Sequence, residues 1–104
     1  MGNFKIFDLD ICMSKISKSK YFMDILNTHT MEVGIIKLSK NQKDSQQPHE
    51  SDEIYYVISG NGKIVINKNE YDVKPGNIIY IPKNTSHHFQ TINENELIIL
   101  YIIA

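Results

Sequence analysis

The feature that most constrains the fold is a regular succession of short apolar segments and turn residues, which runs from residue 28 to residue 104. In residues 28–35, His29 and the apolar Met31, Val33 and Ile35 lie two positions apart, which is the period of a β-strand. The run Gly60-Asn61-Gly62 closes a later segment and is a strong hairpin signal, because glycine and asparagine adopt the positive φ of tight turns. No segment with helical periodicity separates the strands. The pattern therefore excludes βαβ units and predicts an all-β, antiparallel sandwich or barrel.

Strands are predicted at residues 28–35, 54–59, 63–67, 71–73, 78–81, 87–92 and 97–103. Residues 40–47 are polar and predict a loop. The pattern before residue 28 is less regular. There, residues 4–11 favour a short edge strand, and residues 21–26 fit a short helix or a strand.

The length of 104 residues predicts a single domain. We interpret it as a barrel of residues 27–104, preceded by an N-terminal segment of residues 1–26 that adds a strand or covers the barrel mouth. The hydrophobic fraction of 41% and the charged fraction of 22% are typical of an ordinary globular domain.

The charged residues and the single cysteine argue against several classes of partner. The net charge is −1, and lysine carries all the positive charge without forming a basic patch, so a nucleic-acid partner is not expected. Cys12 is the only cysteine, which excludes an intramolecular disulfide. No apolar stretch is long enough to span a membrane, and residues 1–10 do not have the pattern of a signal peptide. We therefore expect a cytoplasmic protein without a membrane partner.

His49, Glu53 and His87 are the residues best suited to bind a metal. On an extended chain, the four-residue spacing of His49 and Glu53 places both side chains on one face, and Gln47 shares their parity. His87 begins a later strand, which an antiparallel barrel can bring beside the first. Two imidazoles and a carboxylate are a ligand set that suits Fe, Mn, Ni or Zn as divalent ions. On spacing alone, a simpler interpretation is that His49 and His87 are surface histidines and that Glu53 is an ordinary charged residue at the start of a strand.

The spacing around these residues matches two sequence motifs. His49 precedes Glu53 with three residues between them, and six residues separate Glu53 from Gly60. Five residues separate Gly76 from Pro82, and four more precede His87. Together these patterns resemble the two motifs of the cupin family. The resemblance implies a double-stranded β-helix, or jelly-roll barrel, with a divalent metal held by His49, Glu53 and His87.

The chain departs from the motifs at three positions. Gln47 stands where the family has its first metal-binding histidine, and an amide oxygen is a weaker ligand than an imidazole. Gln47 is therefore a doubtful fourth ligand. Asn84 replaces the second glycine of the second motif, and asparagine also tolerates a left-handed turn. Thr91 replaces its final asparagine.

The resemblance implies a metal-dependent enzyme for a small molecule, of the dioxygenase or the isomerase/epimerase type. Two alternatives stay open: a non-catalytic module that binds a small ligand or a metal, and a structural protein without a metal. The sequence does not assign a catalytic residue. Three further residues are candidates for contact with a substrate, namely His29, Tyr55 and Phe89. His88 follows His87 directly and is expected to point away from the barrel interior.

We also expect a homodimer. The apolar strand predicted at residues 97–103 would invite pairing with a second chain if it lay at a sheet edge. Burial of both its faces within one chain explains the same composition.

Overall fold

In the part of the chain that the structure describes, eight β-strands and one short helix make up the fold. The structure is a computed structural model that describes residues 2–16, 20–40, 42, 44, 50–92 and 96–104. The elements in chain order are α1 (Leu9–Ser14), β1 (Phe22–Asn27), β2 (Glu32–Leu38), β3 (Glu53–Ser59), β4 (Gly62–Ile66), β5 (Asn69–Val73), β6 (Ile78–Ile81), β7 (His87–Thr91) and β8 (Leu97–Ile103).

The strands form two antiparallel sheets. The five-stranded sheet has the order β1-β2-β8-β3-β6, and the three-stranded sheet has the order β5-β4-β7. A single apolar core combines side chains from both sheets, for example Tyr55 and Ile99 from the larger sheet with Ile64 and Phe89 from the smaller one. The predicted all-β antiparallel barrel is therefore confirmed.

Strand β3 shows how the alternating pattern positions side chains inside the barrel. Glu53, Tyr55 and Val57 are buried, whereas Ile54 and Tyr56 between them are exposed. Because successive side chains on a strand point to opposite faces, one set faces the core and the other faces outward. The strand thereby carries a carboxylate and a phenol into a largely apolar interior.

The N-terminal segment forms a helix rather than the edge strand expected at residues 4–11, so that prediction was wrong. Asp8 caps the helix, and its side chain accepts a hydrogen bond of 3.0 Å from the backbone N–H of Ile11. Cys12 is buried against Ile35 and Ile98, on the outer face of the five-stranded sheet. The helix thus covers a second, smaller apolar cluster outside the barrel. None of the described residues forms a helix long and apolar enough to span a membrane.

Strand β8 occupies the centre of the larger sheet, between β2 and β3. Its inner side chains join the barrel core, and Ile98 on its outer side joins the cluster under α1. A strand that is covered on both faces is apolar at nearly every position. Of the two explanations for the apolar composition of residues 97–103, the structure therefore favours burial within one chain over an exposed sheet edge.

A candidate metal centre inside the barrel

Glu53 enters the barrel interior from the larger sheet. It is the first residue of β3, where it pairs with Ile81 of β6 on one side and Ile103 of β8 on the other. These two flanking strands fix the backbone of Glu53, and the residue is only 2% exposed. A carboxylate at this depth needs polar partners, because burial of an unpaired charge is strongly unfavourable.

His87 enters the same interior from the smaller sheet, as the first residue of β7. The turn before it contains Asn84 with φ of 62°, so asparagine adopts the left-handed conformation expected at this position. The Nδ1 atom of His87 lies 2.7 Å from the carbonyl oxygen of Thr85. Since a carbonyl only accepts, Nδ1–H must donate to it, which orients the ring and directs Nε2 into the barrel.

The two side chains meet in the core. The distance between His87 Nε2 and Glu53 Oε2 is 3.3 Å, and the side chains are 1% and 2% exposed. The structure therefore brings together two of the three principal ligands that the sequence predicts. His49, the third, and Gln47, the doubtful fourth, lie outside the described residues.

Tyr55 completes the cluster. Its hydroxyl donates a hydrogen bond to Glu53 Oε2 and lies 2.8 Å from His87 Nε2. The ring packs edge-on against Phe89, with centroids 4.9 Å apart, and both rings are fully buried. The sequence suggests Tyr55 and Phe89 as contacts of a substrate, and that role stays a prediction. The structure places Tyr55 against both candidate ligands and Phe89 in the wall beside it.

The protonation of the cluster follows from its hydrogen bonds. Burial alone would lower the pKa of His87, but the hydrogen bond and charge of Glu53, together with the carbonyl of Thr85, leave it raised above its ordinary value. Burial and the neighbouring Glu53 carboxylate raise the pKa of Tyr55, which keeps the phenol neutral. Without a metal, the Glu53 carboxylate, the Tyr55 phenol and the His87 ring therefore stabilise one another through direct contacts.

The donor set fits a divalent metal ion. A carboxylate oxygen and an imidazole nitrogen are the commonest ligands of first-row metals, and here both are buried and oriented by a second hydrogen-bond partner. Among the described residues, no group of three His, Cys, Asp or Glu side chains is placed to hold a metal. The described part of the chain therefore supplies two such ligands, and any further ones come from the phenol, from residues outside it or from solvent.

His29 lies away from this cluster. The strand predicted to begin at residue 28 begins at Glu32, because the backbone N–H of Thr28 donates to the carbonyl of Met31 at 2.8 Å and closes a turn. His29 is exposed in that turn and lines a shallow polar pocket of about 200 Å³. The strand that was expected to carry it into the barrel is absent at this position, and its contact with a substrate stays a prediction.

Sequence reasoning missed a second buried carboxylate. Asp44 is 3% exposed, and the hydroxyl of Tyr21 donates to its Oδ1 at 3.0 Å. Its backbone N–H donates to the carbonyl of Phe89 at 3.3 Å, which attaches this part of the chain to β7. After burial and Glu53, the charge of Asp44 is a further cause of the raised pKa of Tyr55. An aspartate in a polar segment without periodicity gives no signal that it is buried.

The two-sheet antiparallel barrel with its buried carboxylate and imidazole defines the class of the protein as a double-stranded β-helix with a candidate metal centre. The family model for the cupin domain matches residues 34–103, which include Glu53, Tyr55 and His87. The chain belongs to the cupin family.

Comparison with known proteins agrees with this assignment. An uncharacterised protein of Streptomyces coelicolor is 34% identical over 74 residues, which cover 71% of this chain and 70% of that protein. Acireductone dioxygenase of Bacillus licheniformis is 30% identical over 81 residues, which cover 73% of this chain but only 44% of the dioxygenase. The structure of a Klebsiella pneumoniae protein with a double-stranded β-helix domain has a TM-score of 0.85 at 18% identity, covering 98% of this chain and 90% of that one.

Stability measurements can test the contact between Glu53 and His87 in the metal-free protein. We expect Glu53→Gln and His87→Gln each to lower the free energy of unfolding by about 3 kcal/mol, because each leaves a buried charge without its partner. The double variant should lose less than the sum of the two, by about 1 to 3 kcal/mol. Urea unfolding in the presence of a chelator measures all four proteins.

The neighbouring His88 provides the control, because it contacts Gln90 rather than the cluster. His88→Gln combined with Glu53→Gln should be additive. If the stability losses were additive in both double variants, Glu53 and His87 would not interact.

Proposed function

We propose that the protein is a metal-dependent enzyme that acts on a small molecule, with dioxygenation as its reaction. The observation that carries the proposal is the contact of 3.3 Å between Glu53 and His87 inside the barrel. Apolar residues of similar volume would stabilise a core at least as well as a buried ion pair does, so a bound ligand best explains why both are present. The similarity to acireductone dioxygenase supports oxygen chemistry, and isomerisation or epimerisation is the alternative reaction class.

Four buried side chains have different roles in this proposal. Glu53 and His87 would hold the metal, with His49 as the further expected ligand. When bound, a divalent Fe, Mn, Ni or Zn ion supplies Lewis acidity and, for iron, redox chemistry. Phe89 and its apolar neighbours exclude bulk water, which strengthens electrostatic interactions in the site. Asp44 is our candidate proton acceptor, because it is the second buried carboxylate of the described interior.

A non-catalytic module that binds a metal or a small ligand is the second candidate. The position of Tyr55 favours it, because the hydroxyl already contacts both Glu53 and His87. Because these side chains satisfy one another without a ligand, the empty site is stable, which suits reversible binding. The cytoplasmic location and the absence of a nucleic-acid partner stay predictions from composition.

Elemental analysis of the purified protein tests the metal centre. We expect about one divalent ion per chain in the wild type, because the buried carboxylate and imidazole provide two strong ligands. Glu53→Gln and His87→Gln should each lose most of it. His88→Gln is the matched control and should retain the metal, since that histidine lies on the same strand but contacts Gln90.

The outcomes separate the candidates. Metal bound by the wild type, with oxygen uptake on addition of a small polar substrate such as acireductone, would support the enzyme. Metal bound without turnover of any compound in a panel would favour the binding module. Equal metal content in the wild type and all three variants would place the ion elsewhere and contradict the proposal.

We further propose that the homodimer forms through the outer face of β3 and β6. Ile54 and Tyr56 of β3 pair with Tyr80 and Ile78 of β6, and these four outward side chains are between 42% and 71% exposed. Strand β6 is an edge of the larger sheet. An exposed apolar patch of neighbouring side chains at a sheet edge is typical of a contact surface, and a second copy of the chain would cover it.

Light scattering of a charged variant tests this surface. We expect the wild type to have twice the mass of the chain and Ile78→Lys to have the mass of a monomer, because lysine is strongly depleted in the buried centre of an interface. Tyr71→Lys is the control, since Tyr71 is 52% exposed on the other sheet. A monomeric wild type would contradict the proposal, as would a dimer that Ile78→Lys leaves intact.

A further inference from the structure

We propose that the hydroxyl oxygen of Tyr55 is a third protein donor of the metal centre, beside Glu53 and His87. The inference rests on the proposed metal-binding function. It goes beyond that function because tyrosine has no place in the two sequence motifs through which the chain resembles its family.

The geometry of three atoms points to this role. Tyr55 Oη lies 2.8 Å from His87 Nε2, and His87 Nε2 lies 3.3 Å from Glu53 Oε2. The hydrogen bond from Tyr55 to Glu53 Oε2 closes the triangle. Ligands about 2.1 Å from a common ion in octahedral geometry lie about 3 Å from one another. The two distances from His87 Nε2 therefore have the spacing of ligands that share one octahedral ion. Tyr55 Oη and Glu53 Oε2 are closer together, because a proton joins them, and they would move apart when an ion takes the place of that proton.

The packing around Tyr55 keeps its oxygen in this position. The residue is fully buried, and its ring packs edge-on against Phe89 and His87 with centroids 4.9 and 5.6 Å away. The backbone is held on both sides, since Tyr55 pairs with Ile79 of β6 and Tyr101 of β8. The ring cannot swing away without opening the core. An ion that binds Glu53 Oε2 and His87 Nε2 therefore meets the phenol oxygen as well.

Coordination by Tyr55 has a defined proton balance. The O–H bond breaks as the bond from oxygen to metal forms, and the proton passes to solvent. No oxidant or further reactant is required. The positive charge of the ion then replaces the proton that the phenol shared with Glu53, so the carboxylate and the phenolate stay paired with a cation.

Tyr101 provides a matched control within the same sheet. It is the direct cross-strand neighbour of Tyr55, but its hydroxyl donates to Asp24 instead of to the cluster. Gly34 leaves the space for this contact, because a Cβ there would collide with the ring of Tyr101. Tyr101→Phe thus removes the same group from the adjacent tyrosine without touching Glu53 or His87.

The test uses the wild type, Tyr55→Phe and Tyr101→Phe. With Fe(III), the wild type and Tyr101→Phe should show the visible charge-transfer band of a phenolate bound to iron, and Tyr55→Phe should lack it. The affinity for divalent metal should fall at least about tenfold in Tyr55→Phe only. Resonance Raman spectra of the wild type, excited in the band, should show tyrosinate vibrations, so the test stands even if Tyr55→Phe does not fold.

Other results would contradict either the role of Tyr55 alone or the whole metal centre. Metal bound by the wild type without the band or the tyrosinate vibrations would overturn the role of Tyr55 and leave the proposed metal centre intact. The same conclusion would follow if Tyr55→Phe bound metal as tightly as the wild type or more tightly, since the phenol would then only compete with the ion. No metal bound by the wild type would overturn both proposals.

Discussion

Burial of a carboxylate beside an imidazole, at the core of an apolar barrel, is the constraint on which the rest of this account depends. Glu53 and His87 come from different sheets and touch only because the two sheets close on one another. Each would be unfavourable in this environment alone, because desolvation of a charge costs several kcal/mol. Together with Tyr55 they satisfy one another, and the same mutual contacts provide donors for a cation.

The fold supports this pair with rigid elements. Glu53 lies in a strand bonded on both sides, and His87 is fixed through the carbonyl of Thr85. Side chains held in this way lose little entropy on binding a ligand, which is what a preorganised site requires. The helix on the outer face covers the larger sheet from the other side, so the strands at its centre are buried on both faces.

Much of the barrel could be predicted because turn residues and the two-residue period are local signals. Strands β6 and β8 have the predicted bounds, 78–81 and 97–103, and the others differ by a few residues at their ends. The helix at Leu9–Ser14 was missed, because a helix of six residues is too short to show a clear period. The sequence left the position of β8 open, because an apolar composition suits a strand at a sheet edge and a central strand covered on both faces equally well.

The site was predictable only in part. Glu53 and His87 were identified from spacing and from the family motifs, and their contact follows from the topology. The contacts of the Tyr55 hydroxyl with Glu53 and His87 could not be predicted. Strand parity gives the face on which a residue lies but not how far its side chain reaches. The burial of Asp44 depends on contacts with Tyr21 and β7, which are distant in the sequence.

We propose above all that Glu53 and His87 are ligands of one metal ion inside the barrel. Anomalous diffraction from crystals grown with Mn(II) or Zn(II), recorded on both sides of the metal absorption edge, locates that ion directly. We expect a single strong peak within bonding distance of Glu53 Oε2 and His87 Nε2, about 2.0 to 2.2 Å. A peak only at surface residues, or no peak in a barrel where these two atoms still contact each other, would contradict the proposed metal centre.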